Sequence, residues 1–378
     1  MNLRMRAALK KKSSFSAVSL QCLRAELFHF FSQRRANTGE LHSKTSTVHD
    51  ENSRSQRKVC EFVLEHFDRQ YSEELGDQWT SAREVLMNPN CWQYGVLLNR
   101  FSNLTGVQEV FKSLGYYNLL SQRDSLNLHS LQCLVHNDAV RLRSQRHHDG
   151  WLKQYYLLNA ASLLPVLALD VRDGESVLDL CSAPGGKALA VLQTANPGLL
   201  HCNELDTSRC QWLIKTLESY VPPPLRDMIT VTNVDGRDVC SSKPGMYDKV
   251  LVDAPCSNDR SWLFTAEAQQ GKLRLGERAM LPSLQKELLC SALGAVRPGG
   301  IVVYSTCTFS RAENQSVVEA VLASCPDVEL LDLKEELIGA ISSRFVFAHL
   351  QPPVGHLVIP EEGRTWGPMY VCTLRRIA

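Results

Sequence analysis

The chain has 378 residues, 44% hydrophobic and 21% charged, which excludes a disordered or fibrous protein and leaves room for one catalytic core of roughly 200 residues plus a smaller domain and a tail. The net charge of +1 hides an asymmetry: residues 1–35 hold eight Lys and Arg against a single acid, Glu26, so the rest carries 33 basic against 39 acidic residues. The body is therefore not a general polyanion binder, and contacts to nucleic acid must come from local patches.

Residues 1–57 are rich in Arg, Lys and Ser, and the spacing of Val18, Leu20, Leu23, Leu27 and Phe31 is that expected of one side of a helix around Arg24. This segment is expected to be a mitochondrial transit peptide; a disordered basic tail is the alternative. Residues 58–150 are expected to form a smaller helical accessory domain that binds RNA. Val59, Phe62, Val63 and Phe67 keep helical spacing, as do Val85, Leu86, Trp92, Tyr94 and Leu97. Arg141, Arg143, Arg146, His147, His148 and Lys153 are the clearest basic patch, read either as a solvated loop or as an RNA contact. Lys272, Arg274 and Arg278 are further candidates for that contact.

From 151 to 378 the pattern alternates between short apolar strands and helices. Strands are expected at Ser176–Leu180, Leu199–Asn203, Ile229–Val231, Lys249–Asp253 and Ile301–Tyr304. Helices are expected up to Thr194, over Ser208–Tyr220, Leu284–Val296 and Ser310–Leu322. Such alternation predicts a doubly wound, mostly parallel α/β sheet of the Rossmann-like kind. No apolar run approaches the roughly 18–20 residues of a membrane span.

In such sheets ligands bind at the carboxyl ends of the strands, and the unusual residues fall there. The first strand runs into Asp179-Leu-Cys-Ser-Ala-Pro-Gly185-Gly186-Lys187, whose glycines let a backbone approach a ligand. Glu204, 25 residues after Asp179, is placed to accept from both ribose hydroxyls of a nucleotide-like cofactor. Asp235, followed by Gly236, is placed to hold an adenine amino group; a helix cap is the plain alternative for each acid. The G-x-G-x-x-G pyrophosphate fingerprint is absent, which favours a nucleoside cofactor without a pyrophosphate.

Thirteen cysteines raise the question of zinc or disulfides, but no pair has C-x-x-C spacing, so neither a metal nor a disulfide framework is expected. Two cysteines stand apart. Cys256 follows Asp253-Ala-Pro, and Cys307 follows Ser305-Thr, each at the end of a strand. A thiolate, a carboxylic acid and a second basic group are what methylation of cytosine C5 needs. The thiolate adds to C6 and makes C5 an enamine carbon, and the acid steadies the ring as charge develops.

Asp179–Lys187, Asp253-Ala-Pro-Cys256, Ser305-Thr-Cys307 and Trp366-Gly-Pro-Met-Tyr370 resemble the Sun-type (NSUN or Fmu-like) RNA cytosine-C5 methyltransferases over residues 150–378. The resemblance implies S-adenosylmethionine as cofactor, Cys307 as nucleophile, Cys256 as the residue that assists release, and Asp253 at the target base and near the cofactor. It likewise implies cofactor contacts for Gly185, Gly186, Lys187, Glu204, Arg209, Asp235 and Gly236. Glu204 stands where most members carry Asp, and Ser182 where Ala is commoner.

A finer likeness lies in Phe67–Trp79, Cys91-Trp-Gln-Tyr94 and Cys256-Ser-Asn-Asp-Arg260. It is to the small mitochondrial member, which implies the matrix as location and the anticodon wobble cytosine of mitochondrial methionine tRNA as target. A sibling acting on mitochondrial ribosomal RNA with a helical protein partner is the nearest rival; nothing visible in this chain requires a partner. A small-molecule or protein methyltransferase would need no cysteine pair. A non-catalytic RNA-binding factor would be expected to have lost the nucleophile or the cofactor loop.

Overall fold

The computed structural model describes residues 58–120, 131–148, 150–265 and 268–378; the expected transit segment, 1–57, lies outside the described residues. Helices α1 (Glu61–Leu75) and α2 (Asp77–Met87) come first. Val63, Phe67 and Tyr71 of α1 and Trp79, Ala82 and Leu86 of α2 are buried, the apolar stripe of an amphipathic helix. Phe67 and Tyr71 pack edge-on against Trp262 and Phe309, with ring centroids 5.2 and 5.3 Å apart.

The helical spacing expected to continue through Trp92 and Leu97 stops at Met87. Gly95–Leu98 is strand β1, buried at every position, and a short run buried on both faces has no period to separate strand from helix. Residues Asn103–Tyr116 fall outside the compact unit formed by Lys58–Ser102 and Tyr117–Ala378; they hold helix α3 (Val107–Ser113) and an edge-on contact of Phe111 with Tyr116. Strands β2 (Tyr117–Asn118), β3 (Cys133–Val135) and β4 (Tyr155–Leu158) join β1 in an antiparallel sheet of order β2-β3-β1-β4. The N-terminal region is thus helical first and then a small sheet. That sheet crosses the division expected at residue 150, because β4 pairs with β1.

The chain continues through α4 (Leu164–Leu169), β5 (Ser176–Asp179), α5 (Gly186–Thr194), β6 (Leu199–Asn203), α6 (Thr207–Tyr220), β7 (Ile229–Thr232) and α7 (Val239–Ser242). Next come β8 (Tyr247–Asp253), α8 (Asp259–Trp262), α9 (Ala268–Ala295), β9 (Val296–Thr306) and α10 (Gln315–Ser324). The described chain closes with β10 (Val328–Leu331), α11 (Glu335–Ile341), β11 (Val346–Phe347), β12 (His356–Ile359) and β13 (Met369–Arg376). The large sheet runs β11-β12-β13-β9-β8-β5-β6-β7, with β10 also on β13. Strands β5 to β9 are mutually parallel, the Rossmann-like core; the β10–β13 pairings are antiparallel. Val250, Leu251, Val252, Val302 and Val303 are fully buried, each worth about 1.5–3 kcal/mol of apolar burial. α10 begins at Gln315 rather than at Ser310, because Asn314 bonds Thr306 Oγ1 and the Thr308 carbonyl and holds the preceding segment as a loop.

The chain lays β6 and β7 to one side of β5, and β8 and β9 to the other. The order reverses between β5 and β8, the point at which such sheets bind ligands beyond the strands' carboxyl ends.

Candidate active site

Lys187 and Asp253 meet across that reversal point. Lys187 Nζ lies 2.7 Å from Asp253 Oδ2, and Ser305 Oγ donates to Asp253 Oδ1 at 2.9 Å. Burial opposes the charge on Lys187, but Asp253, Cys307 and Asp179 outweigh it and lift the ammonium above its ordinary value. The glycines before it are set by the chain's own packing. Gly185 has φ +104°, which L side chains avoid. A Cβ on Gly186 would sit 2.9 Å from Tyr156 Cε1.

At the end of β6 Glu204 is 4% exposed; its Oε1 accepts the Asp206 N–H at 3.0 Å, and its Oε2 has no hydrogen-bond partner although Arg209 Nη1 is 3.4 Å away. Arg209 is braced by the Ala183 carbonyl at 2.8 Å. Asp179 is also buried, accepts from Ser182 Oγ at 2.8 Å on Oδ2 and has no partner on Oδ1. Burial pushes its carboxyl up to about 7. Two orphaned carboxylate oxygens at neighbouring strand ends fit a ligand rich in hydroxyl and amino donors, since buried acceptors are normally satisfied. Asp235 differs: it caps the turn at Gly236–Asp238, and both its oxygens accept from Arg237, at 2.6 Å from Nη2. Its pKa is lowered by those Arg237 bonds. Gly236 is buried under Leu288 and Leu180, with no space for a Cβ.

Asp253 and Ser305 are register partners on β8 and β9, so the residues that follow run side by side. Cys256 Sγ lies 3.3 Å from Cys307 Sγ, and the Cys307 N–H points at Cys256 Sγ at 3.3 Å. The hydrogen bond with Cys307, burial, the Cys307 charge and then that of Glu313 hold the Cys256 thiol well above the ordinary range. The two cysteines expected to face each other are therefore in contact, on strands whose register pairs Asp253 with Ser305.

A buried polar network fixes the loops that carry these thiols. Asp259 is fully buried and accepts from Tyr71 Oη at 2.9 Å, Thr308 Oγ1 at 2.9 Å and the Phe309 N–H at 2.7 Å. Glu313 accepts from the Ser257 N–H at 2.9 Å and from Arg278 Nε at 3.2 Å, and Arg278 Nη2 donates to Tyr71 Oη at 2.6 Å. Arg278 is only 7% exposed and stacks on Trp262 at 5.1 Å, which corrects its expected role as an RNA contact. Lys272 and Arg274 are exposed, as are Arg141, Arg143, Arg146, His147 and His148. Lys153 is instead half-buried over the Tyr220 ring. Asp259 and Glu313 sit just beyond the two cysteine motifs, the one signal that could have marked them; Tyr71 and Arg278 carry none.

A doubly wound sheet with acids at its first two strand ends and paired thiols at its last two parallel ones defines a methyltransferase of the cysteine-dependent, S-adenosylmethionine-using class. The family model of 16S rRNA methyltransferase RsmB/F matches residues 166–363. The chain is 65% identical to the mitochondrial tRNA (cytosine(34)-C(5))-methyltransferase of Danio rerio, over 86% of this chain and 90% of that one. It is 37% identical to the 5-cytosine rRNA methyltransferase NSUN4 of Xenopus tropicalis, over 83% and 90%. The solved structure of NSun6 from Pyrococcus horikoshii shares the fold, with a TM-score of 0.60 at 15% identity over 84% of this chain and 98% of that one. The chain belongs to the RsmB/F methyltransferase family.

Proposed function

We propose that this protein methylates C5 of the wobble cytosine in the anticodon of mitochondrial methionine tRNA, in the mitochondrial matrix. The observation that carries the chemistry is the thiol pair at 3.3 Å beside the Lys187–Asp253 ion pair. The tRNA target is supported by the 65% identity to a relative named for cytosine 34 of tRNA and for mitochondria, together with the basic segment before residue 58.

S-adenosylmethionine, when bound, supplies an electrophilic methyl group on its sulfonium. Glu204, whose Oε2 has no partner, would accept from its ribose hydroxyls, the Gly185–Gly186 backbone would line its approach, and Arg209 would steady Glu204. Asp235 adds an adenine contact only beside Arg237, which already occupies its oxygens. Cys307 attacks cytosine C6 as thiolate; a C–S bond forms, the C5=C6 pair shifts to C4=C5 and the C4=N3 pair takes a proton at N3, giving an enamine whose C5 would take the methyl as the sulfonium leaves as a neutral thioether. Asp253 holds the N3 edge of the base, kept in place by Lys187 and Ser305. After methylation a base removes the C5 proton, C5=C6 re-forms and Cys307 leaves, a step that Cys256 assists. The exposed 141–148 stretch offers a basic surface for RNA, and a splayed anticodon loop presents the unstacked base this site needs.

Bisulfite sequencing of mitochondrial RNA from cells with and without the protein tests the proposal. The expected result is loss of a single 5-methylcytosine, at the tRNA anticodon. Loss at a ribosomal RNA position overturns the tRNA assignment in favour of an NSUN4-like role, for which the 37% identity speaks. No change anywhere overturns the catalytic reading.

A further inference from the structure

Two thiols at 3.3 Å are chemically alike, yet the proposed reaction gives them different duties. Their surroundings differ in charge. Cys256 lies between Pro255, whose carbonyl accepts from Gln285 Nε2 at 2.8 Å, and Ser257, whose N–H donates to Glu313 Oε2 at 2.9 Å. Gln285 Nε2 reaches the same Glu313 oxygen at 3.0 Å, and Ser257 Oγ donates to Oε1 at 2.8 Å. A carboxylate that is 1% exposed therefore holds the Cys256 loop directly at Ser257 and through Gln285 at Pro255. The cations Lys187 and Arg260 lie toward the Cys307 side. Arg260 is held there by the Thr365 carbonyl and by stacking 4.6 Å above Trp92.

We propose that Glu313 is a positioning residue that decides which of the two thiols is the nucleophile. Its buried negative charge keeps the proton on Cys256, which leaves Cys307 to act as the nucleophile. The inference rests on the cysteine roles proposed above. The remaining charged and titratable groups around the pair do not reverse the asymmetry. Arg278 of α9 offsets part of the Glu313 charge but also turns to Tyr71 of α1. Asp259 of α8 adds negative charge beneath the Ser257–Thr308 contact. Tyr304 of β9 stays protonated through burial, with the Cys256 sulfur nearby. Asp253 of β8 is matched by Lys187.

The test is differential alkylation of the full chain by iodoacetamide, with peptide mapping of each thiol against pH and without RNA or cofactor. In the unaltered protein Cys307 should react first. Glu313→Gln should lower the Cys307-to-Cys256 rate ratio by about tenfold, the change in thiolate population that one pKa unit produces. Glu313→Asp, which keeps the charge, should restore most of the ratio, an outcome that a purely structural role does not give. Because Glu313→Gln leaves Arg278 unpaired, the double variant Glu313→Gln/Arg278→Gln decides if the single one fails to fold. A folded variant with the unaltered ratio overturns the proposal, as does an unaltered protein that reacts first at Cys256. Alkylation rates do not depend on which RNA is methylated, so the tRNA assignment can fail while the thiol ratio still responds to Glu313.

Discussion

Replacing Asp179 with Asn should stabilise the protein, and the gain should grow with pH. Asp179 is 1% exposed, has no hydrogen-bond partner on Oδ1, and is raised by burial to about 7 from 3.8. Through this interval the native state holds a proton that the unfolded chain has already released, so this residue makes stability fall as pH rises. A difference of about three pKa units corresponds to about 4 kcal/mol once both states are ionised, above roughly pH 8. Asn removes the charge and can keep the contact with Ser182. Urea unfolding of both proteins should show their gap widening by about 2 kcal/mol between roughly pH 5.5 and pH 8.5. A gap that does not change with pH would refute the reasoning, because it would mean that the buried carboxylate is stabilised as fully as in water.

Cys307→Ala should abolish methylation without changing the thermal midpoint by more than a few degrees, whereas Cys256→Ala should accumulate a covalent RNA adduct on denaturing gels; free turnover by Cys256→Ala contradicts the assigned roles. Glu204→Gln should weaken S-adenosylmethionine binding about tenfold by calorimetry, roughly 1.4 kcal/mol, since a neutral amide is a poorer ribose acceptor; unchanged affinity places the ribose elsewhere. Arg278→Met should cost about 3–5 kcal/mol of stability, because it leaves Glu313 buried and unpaired. An RNA-contact role would instead leave stability intact and reduce the salt dependence of RNA binding.

The parallel core is legible in the sequence because buried strands such as Lys249–Asp253 and Ile301–Tyr304 are near-continuous apolar runs bounded by polar residues. The thiols and Asp253 are legible for a related reason: motif residues at strand ends must share a crevice once the sheet is parallel. The small sheet of β1–β4 is not, since its strands have two to four residues and pair across distant segments. The burial of Arg278 is equally hidden, because it depends on Glu313, 35 positions away, and on Tyr71, 207 away. What the sequence does not show is that the side-chain positions of Gly185 and Gly186 are taken up by Leu213, Thr216 and Tyr156. Asp235 shows the cap alternative at work, with Arg237 closing over it.

Tyr71 sets a limit on how far the chain can be trimmed from its amino end. Its hydroxyl joins Asp259 to Arg278, and its ring and that of Phe67 cover Phe309 and Trp262. Loss of residues inside α1 would let water reach the underside of both thiol loops, so catalytic competence depends on a helix that carries none of the reacting groups.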